Sequence, residues 1–132
     1  MSVERPVITE VVGFIGYGEA AAAFVQGWRG AIDVKVIAYD IKTDDPALGD
    51  DKQRDYAKFD VTGVENALAL AAGADVIIST VTAEVAVEAT RSAAVALRPG
   101  HIYFDFNSCT PSRKRESAAI VEARARFMWM LR

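Results

Sequence analysis

Cysteine and histidine are nearly absent: among 132 residues there is one of each, Cys109 and His101. A single cysteine closes no internal disulfide, which makes the cytoplasm the expected compartment. A lone histidine has no histidine partner for a metal, and no Cys/His cluster points to a metal site. No apolar run reaches the length of a bilayer span. Residues 1–6 lack the basic-then-apolar order of a signal peptide. Basic residues are not in excess: 15 Lys and Arg against 18 Asp and Glu give a net charge of −3, so the chain has no electrostatic footprint for nucleic acid. No repeat recurs at solenoid spacing, and no stretch is of low complexity. A hydrophobic content of 52% suffices for the core of one ordinary domain, expected over 1–132.

The informative presence is a glycine pattern at a strand-to-helix junction. Val11-Val12-Gly13-Phe14-Ile15 leads into Gly16-Tyr17-Gly18-Glu19-Ala20-Ala21, and an alanine-rich helical segment follows. This is the context of a dinucleotide-binding turn. Gly16 permits the tight turn, Gly18 lets a pyrophosphate approach the backbone, and Ala21 lets the helix pack closely on the strand. The free N–H groups of the helix start, at Glu19 and Ala20, would then face phosphate. The next apolar run, residues 34–39, ends in Asp40, 22 residues after Gly18. A carboxylate there accepts from an adenosine ribose and repels a 2′-phosphate, favouring NAD over NADP. Lys42, two residues on, leaves NADP open as a ligand. The other reading of Asp40 is a loop cap at a strand end.

Strands are predicted near 8–15, 34–39, 56–61, 75–81, 102–106 and 127–131, and helices over 19–29, 64–72, 83–97 and from Pro111 to about Arg126. In the first helix Ala20, Phe24 and Trp28 read as the core stripe. Gly30 and Gly73 read as helix stops, and Pro99-Gly100 as the end of the segment that holds the 83–97 helix. Thr82 reads as a cap, with Glu84 in the first turn after it. Thr110-Pro111 has the cap-then-proline order of a helix start. Residues 42–55, with Asp44, Asp45, Pro46, Gly49, Asp50 and Asp51, read as a solvated loop with at most a turn of helix, and as the segment most prone to move. Strand and helix alternate throughout, which predicts an α/β fold: a doubly wound parallel Rossmann sheet of about six strands with helices on both faces.

Three separated segments resemble one family. Gly13-Phe14-Ile15-Gly16-Tyr17-Gly18-Glu19-Ala20 is similar to the nucleotide signature of the β-hydroxyacid dehydrogenases, the group of 6-phosphogluconate and 3-hydroxyisobutyrate dehydrogenases. Asp75-Val76-Ile77-Ile78-Ser79-Thr80-Val81-Thr82 resembles the strand and turn under the nicotinamide ribose. Tyr103-Phe104-Asp105-Phe106-Asn107-Ser108-Cys109-Thr110-Pro111 is similar to the family segment after strand five. The wording Gly-Tyr-Gly-Glu-Ala is nearest to a phosphogluconate-dehydrogenase-like branch.

The resemblance implies hydride transfer between C4 of nicotinamide and a small hydroxy acid in a complete enzyme. It implies that Gly16 and Gly18 bind pyrophosphate and that Tyr17 shields it. The backbone of Val81 and Thr82 would contact the cofactor ribose, Asn107 would orient the nicotinamide side, and Ser108 would meet substrate. Asn107-Ser108 also reads simply as a turn before a helix. The family's catalytic lysine opens a helical second domain, and no lysine follows Lys114 here. A truncated enzyme, a disrupted gene product and a stand-alone domain are all consistent with that, and no catalytic residue is assigned. The rival readings are a non-catalytic nucleotide-binding module and an interaction protein that keeps the fold alone.

Four other features carry readings of their own. Cys109 shows no partner that would activate a thiolate. His101, after Pro99-Gly100, reads as a surface histidine at the end of the sheet away from any ligand. Arg113-Lys114-Arg115 attracts a carboxylate or phosphate, or is a solvated helix face. The apolar, uncharged run 127–131 reads as an edge strand that pairs with a second subunit or promotes aggregation.

Overall fold

The computed structural model describes residues 5–107, 110–125 and 128–130. Strand β1 (Val7–Ile15) leads into helix α1 (Glu19–Arg29), followed by β2 (Asp33–Tyr39). A 3-10 turn at Ile41–Asp44 precedes α2 (Gly49–Lys58), β3 (Thr62–Gly63) and α3 (Ala67–Gly73). Then come β4 (Val76–Ser79), a 3-10 turn at Ala83–Val85, α4 (Ala86–Ala94), β5 (Ile102–Asp105), α5 (Pro111–Ala125) and β6 (Met128–Met130). The six strands form one sheet in the order β3-β2-β1-β4-β5-β6, and every pairing is parallel. The order reverses between β1 and β4. In open α/β sheets, ligands bind in the crevice beyond the strand ends at such a reversal.

Strand residues alternate between two cores. Ile15, Ile37, Ile77 and Tyr103 pack with Leu70 of α3, Ala93 and Ala94 of α4 and Val121 of α5. Phe14, Val36, Ala38 and Ile78 pack with Ala21 and Val25 of α1 and Tyr56 of α2. Parallel strands covered on both faces need apolar residues on both, hence the near-continuous hydrophobic runs of β1, β2 and β4. Arg29, in the last turn of α1, fastens this second face. Its guanidinium donates to the carbonyls of Phe59 (2.8 Å), Val34 (2.6 Å) and Asp60 (3.0 Å).

Several expectations are corrected. The buried stripe of α1 is Ala21 and Val25, one position along from the expected one; Ala20 is exposed, and Phe24 is 39% exposed. Phe24 and Trp28 instead stack on each other and on Phe14 at the margin of the core. The segment read as a loop over 42–55 holds most of α2, which continues through Tyr56, and β3 therefore falls after residues 56–61. Helix α3 starts at Ala67 because Asn66 caps it, its Oδ1 accepting from Ala69 N at 2.7 Å. Gly73 is the last residue of that helix, not the one after it. Thr82 precedes a 3-10 turn, and α4 begins after Val85 with no side-chain cap. Thr110 does cap α5, its Oγ1 accepting from Arg113 N at 3.3 Å. Strand β6 lies at the sheet edge beside β5, where Phe104 pairs with Trp129 in register. No described helix is long and apolar enough to cross a membrane.

Candidate functional site

The site is built on the turn that joins β1 to α1. Gly16 has φ +86°, and a Cβ there would lie 2.8 Å from the Thr80 carbonyl oxygen. Both the dihedral and the contact require glycine. Gly16 N donates to the carbonyl of Tyr39 at the end of β2 (2.7 Å), and Gly16 O accepts from Thr80 Oγ1 just past β4 (2.8 Å). The turn is thus stitched to the strands on either side of β1. Gly18 differs: it is the N-cap of α1, no side chain caps that end, and a Cβ there would meet nothing within 4 Å. Glu19 and Ala20 follow, both exposed, so the uncapped first turn faces open space with its partial positive charge.

Two hollows flank this turn. An apolar crevice of about 330 Å³ is lined by Gly16, Tyr39, Ile41, Asn66, Val81 and Val85, among others. A hollow of about 360 Å³ is lined by Tyr17, Gly18 and Glu19 together with Lys42, Lys52 and Lys58. The lining of the first is largely apolar; the second brings Lys42, Lys52 and Lys58 together with Glu19 and Asp55 beside Gly18.

Asp40 lies at the end of β2, buried, with its carboxylate turned toward the glycine turn. Oδ2 accepts from Tyr17 N at 2.8 Å, and Oδ1 accepts from Lys42 N at 2.9 Å. It therefore does cap the following 3-10 turn, and a carboxylate's remaining lone pairs leave it able to accept a further hydroxyl. The ring of Tyr17 does not shield a ligand. It is 1% exposed and packs edge-on against Tyr56 (5.2 Å) and Phe14 (6.2 Å), because its position alternates into the α1-side core. Burial pushes the Tyr17 phenol above its usual range. Tyr39, in the wall of the apolar crevice, donates to Asp44 Oδ2 at 2.6 Å; burial and that bond push its phenol up to about 12.

The remaining sequence-predicted residues are divided. Val81 lines the crevice with Gly16. Thr82 is exposed, and its carbonyl accepts from Val85 N. Asn107 is 4% exposed beyond β5 and is not among the crevice residues. Its N–H donates to Asp105 Oδ1 (2.8 Å) and its Nδ2 to Ser79 Oγ (3.0 Å), while its Oδ1 is buried without a hydrogen-bond partner among the described residues. Ser108 and Cys109 lie outside the described residues. Lys114 is not on a solvated face: it is 8% exposed and stands 3.7 Å from Asp105 Oδ1, whereas Arg113 and Arg115 are exposed. His101 is likewise buried, at 5% exposure, because Nδ1 accepts from Arg98 N and Nε2 donates to the Ala74 carbonyl. No group of three or more metal-ligating side chains occurs among the described residues.

Sequence reasoning missed Lys52, which sits in the wall of the polar hollow. Its one signal was the spacing Lys52–Tyr56, the i, i+4 pair that faces inward on α2.

No family model and no curated protein matches the chain by sequence. Solved structures do match. A conserved hypothetical protein from Sinorhizobium meliloti 1021 is 27% identical with a TM-score of 0.82, over 93% of this chain and 40% of that one. The Mycobacterium tuberculosis 3-hydroxyisobutyrate dehydrogenase, solved with L-serine, is 24% identical with a TM-score of 0.75, over 93% of this chain and 39% of that one. A conserved protein of unknown function, described as structurally similar to 3-hydroxyacid dehydrogenases, is 30% identical with a TM-score of 0.64, over 85% of this chain and 40% of that one. The chain spans about two-fifths of the length of each. It carries the fold of the nucleotide-binding domain of the 3-hydroxyacid dehydrogenase group, the family that its three motifs resemble.

Proposed function

We propose that this chain is the NAD(P)-binding domain of a 6-phosphogluconate or 3-hydroxyisobutyrate dehydrogenase-like oxidoreductase, acting in the complete enzyme on a small hydroxy acid. The observation that carries the reading is the contrast between the two glycines. Gly16 is required by the backbone itself, whereas Gly18 leaves an open path to an uncapped helix start, where a pyrophosphate fits. The crevice beside Gly16 and Val81 suits an adenosine, and Asp40 lies close enough to the turn to accept a ribose hydroxyl. The nicotinamide supplies the hydride when bound. The protein's part is to bind and orient: backbone at Gly18, Glu19 and Ala20 for phosphate, Val81 and Thr82 for ribose, Asn107 with Ser108 for the nicotinamide and substrate side. Proton transfer to or from the substrate is assigned to no described residue.

The unpartnered Oδ1 of Asn107 supports its place in this list, since a buried acceptor without a donor is costly unless a ligand or water fills it. The experiment is parallel titration of the purified chain with NADH and NADPH, followed by nicotinamide fluorescence. Saturable binding is expected. No binding by a cooperatively folded sample would defeat the reading and leave a protein that keeps the fold alone.

A further inference from the structure

Lys52 belongs to α2, in the segment between β2 and β3, yet its side chain is only 8% exposed. Burying an ammonium is costly unless it is paired and hydrogen-bonded. Here Nζ donates to the Tyr17 carbonyl at 2.7 Å and stands 3.4 Å from Asp55 Oδ2 and 3.9 Å from Asp40 Oδ2. Asp40 Oδ2 in turn accepts from Tyr17 N at 2.8 Å. The two peptide groups that flank Tyr17 in the glycine turn are therefore each held by a charge, one by Asp40 and the other by Lys52. The same pair decides the electrostatics at the ribose end. An isolated carboxylate after β2 repels a 2′-phosphate, but this carboxylate has an ammonium within ion-pairing distance. Lys42 and Lys58 line the same hollow, with Glu19 and Asp55 opposing them.

We infer that Lys52 is a specificity-setting positioning residue of the dinucleotide site: it fixes the glycine turn through the Tyr17 carbonyl and neutralises Asp40, so that a 2′-phosphate is admitted. The inference rests on the dinucleotide reading above. It makes the wild-type chain a binder of both NADH and NADPH, with affinities within about tenfold of each other. Lys52→Met removes the charge and keeps the length. It is expected to weaken NADPH about tenfold more than NADH, the scale of one charge interaction near a protein surface. Lys52→Arg is expected to restore the wild-type ratio, and Asp40→Asn combined with Lys52→Met to recover NADPH relative to Lys52→Met alone.

The test is fluorescence titration of the full chain and these variants with both dinucleotides, beside thermal melts. Equal weakening of both ligands, or none, by a folded Lys52→Met variant would reduce Lys52 to a structural side chain and overturn the inference. If Lys52→Met does not fold, Lys52→Gln, uncharged but still able to donate to the Tyr17 carbonyl, carries the test. It is expected to weaken NADPH about tenfold more than NADH, and an unmoved ratio overturns the inference. A wild-type chain that binds neither dinucleotide defeats the underlying reading as well; wild-type binding with an unmoved ratio defeats this inference alone.

Discussion

Gly16 and Gly18 stand two residues apart under opposite constraints. Alanine at 16 would force a Cβ against the Thr80 carbonyl oxygen, on a left-handed φ of +86° that costs a side-chain-bearing residue about 1–2 kcal/mol. Gly16→Ala is therefore expected to lower stability by at least that much in urea unfolding. Valine at 18 projects into open space. Gly18→Val should melt near the wild type yet lose dinucleotide affinity by about tenfold or more, equivalent to about 1.4 kcal/mol. If affinity survives Gly18→Val, the pyrophosphate does not lie there. Both glycines were legible as a motif, because turn chemistry is local. The inward ring of Tyr17 and the buried ammonium of Lys52 were not: each depends on what another part of the chain brings against it. Lys114 and His101 illustrate the same point, since their partners Asp105 and Ala74 are tertiary neighbours.

At the scale of the element, α2 shows why a polar segment can hide a helix. Gly49–Lys58 has Asp50 and Asp51 in its first turn and Lys58 in its last, which suits the helix dipole, but only Lys52 and Tyr56 face inward. An apolar stripe of that width carries almost no periodic signal, so the run looked like loop. The central strands β1, β2, β4 and β5 and the longer apolar helices were legible because burial on both faces of a parallel sheet leaves a dense hydrophobic record, whereas the two-residue, exposed β3 leaves none. The capped start of α5 was legible too, since Thr110-Pro111 acts within one turn. Strand β6 carries an expectation of its own. It pairs only with β5 and leaves its outer backbone edge without a neighbouring strand among the described residues. Open edges invite pairing with another chain. Light scattering across a wide concentration range is expected to show association that grows with concentration, and a monodisperse monomer throughout would refute it.

For the molecule as a whole, alkaline pH is the sensitive variable. Burial pushes the phenol of Tyr103 up to about 12, and its OH bonds Thr90 Oγ1 at 3.0 Å inside the α3–α5 core. Tyr56 is raised further by burial, and Tyr17 and Tyr39 are raised as well. Because folding holds these groups protonated, their stabilising contribution is complete below pH 10, the ordinary tyrosine value, and is lost as pH rises toward about 12. Urea midpoints should fall between pH 9 and pH 11, and fall less in Tyr103→Phe; identical slopes in the two proteins would contradict the assignment. The Arg29 guanidinium has a consequence in time. Two of its three carbonyl acceptors, Phe59 and Asp60, lie beyond α2 and about thirty residues away, so those bonds close only after α2 has docked. Contacts that form after the rate-limiting step govern how long the native state lasts, not how quickly it is reached. In stopped-flow experiments Arg29→Ala is expected to unfold several times faster while refolding at nearly the wild-type rate, so that one side chain acts as the latch on the protein's lifetime.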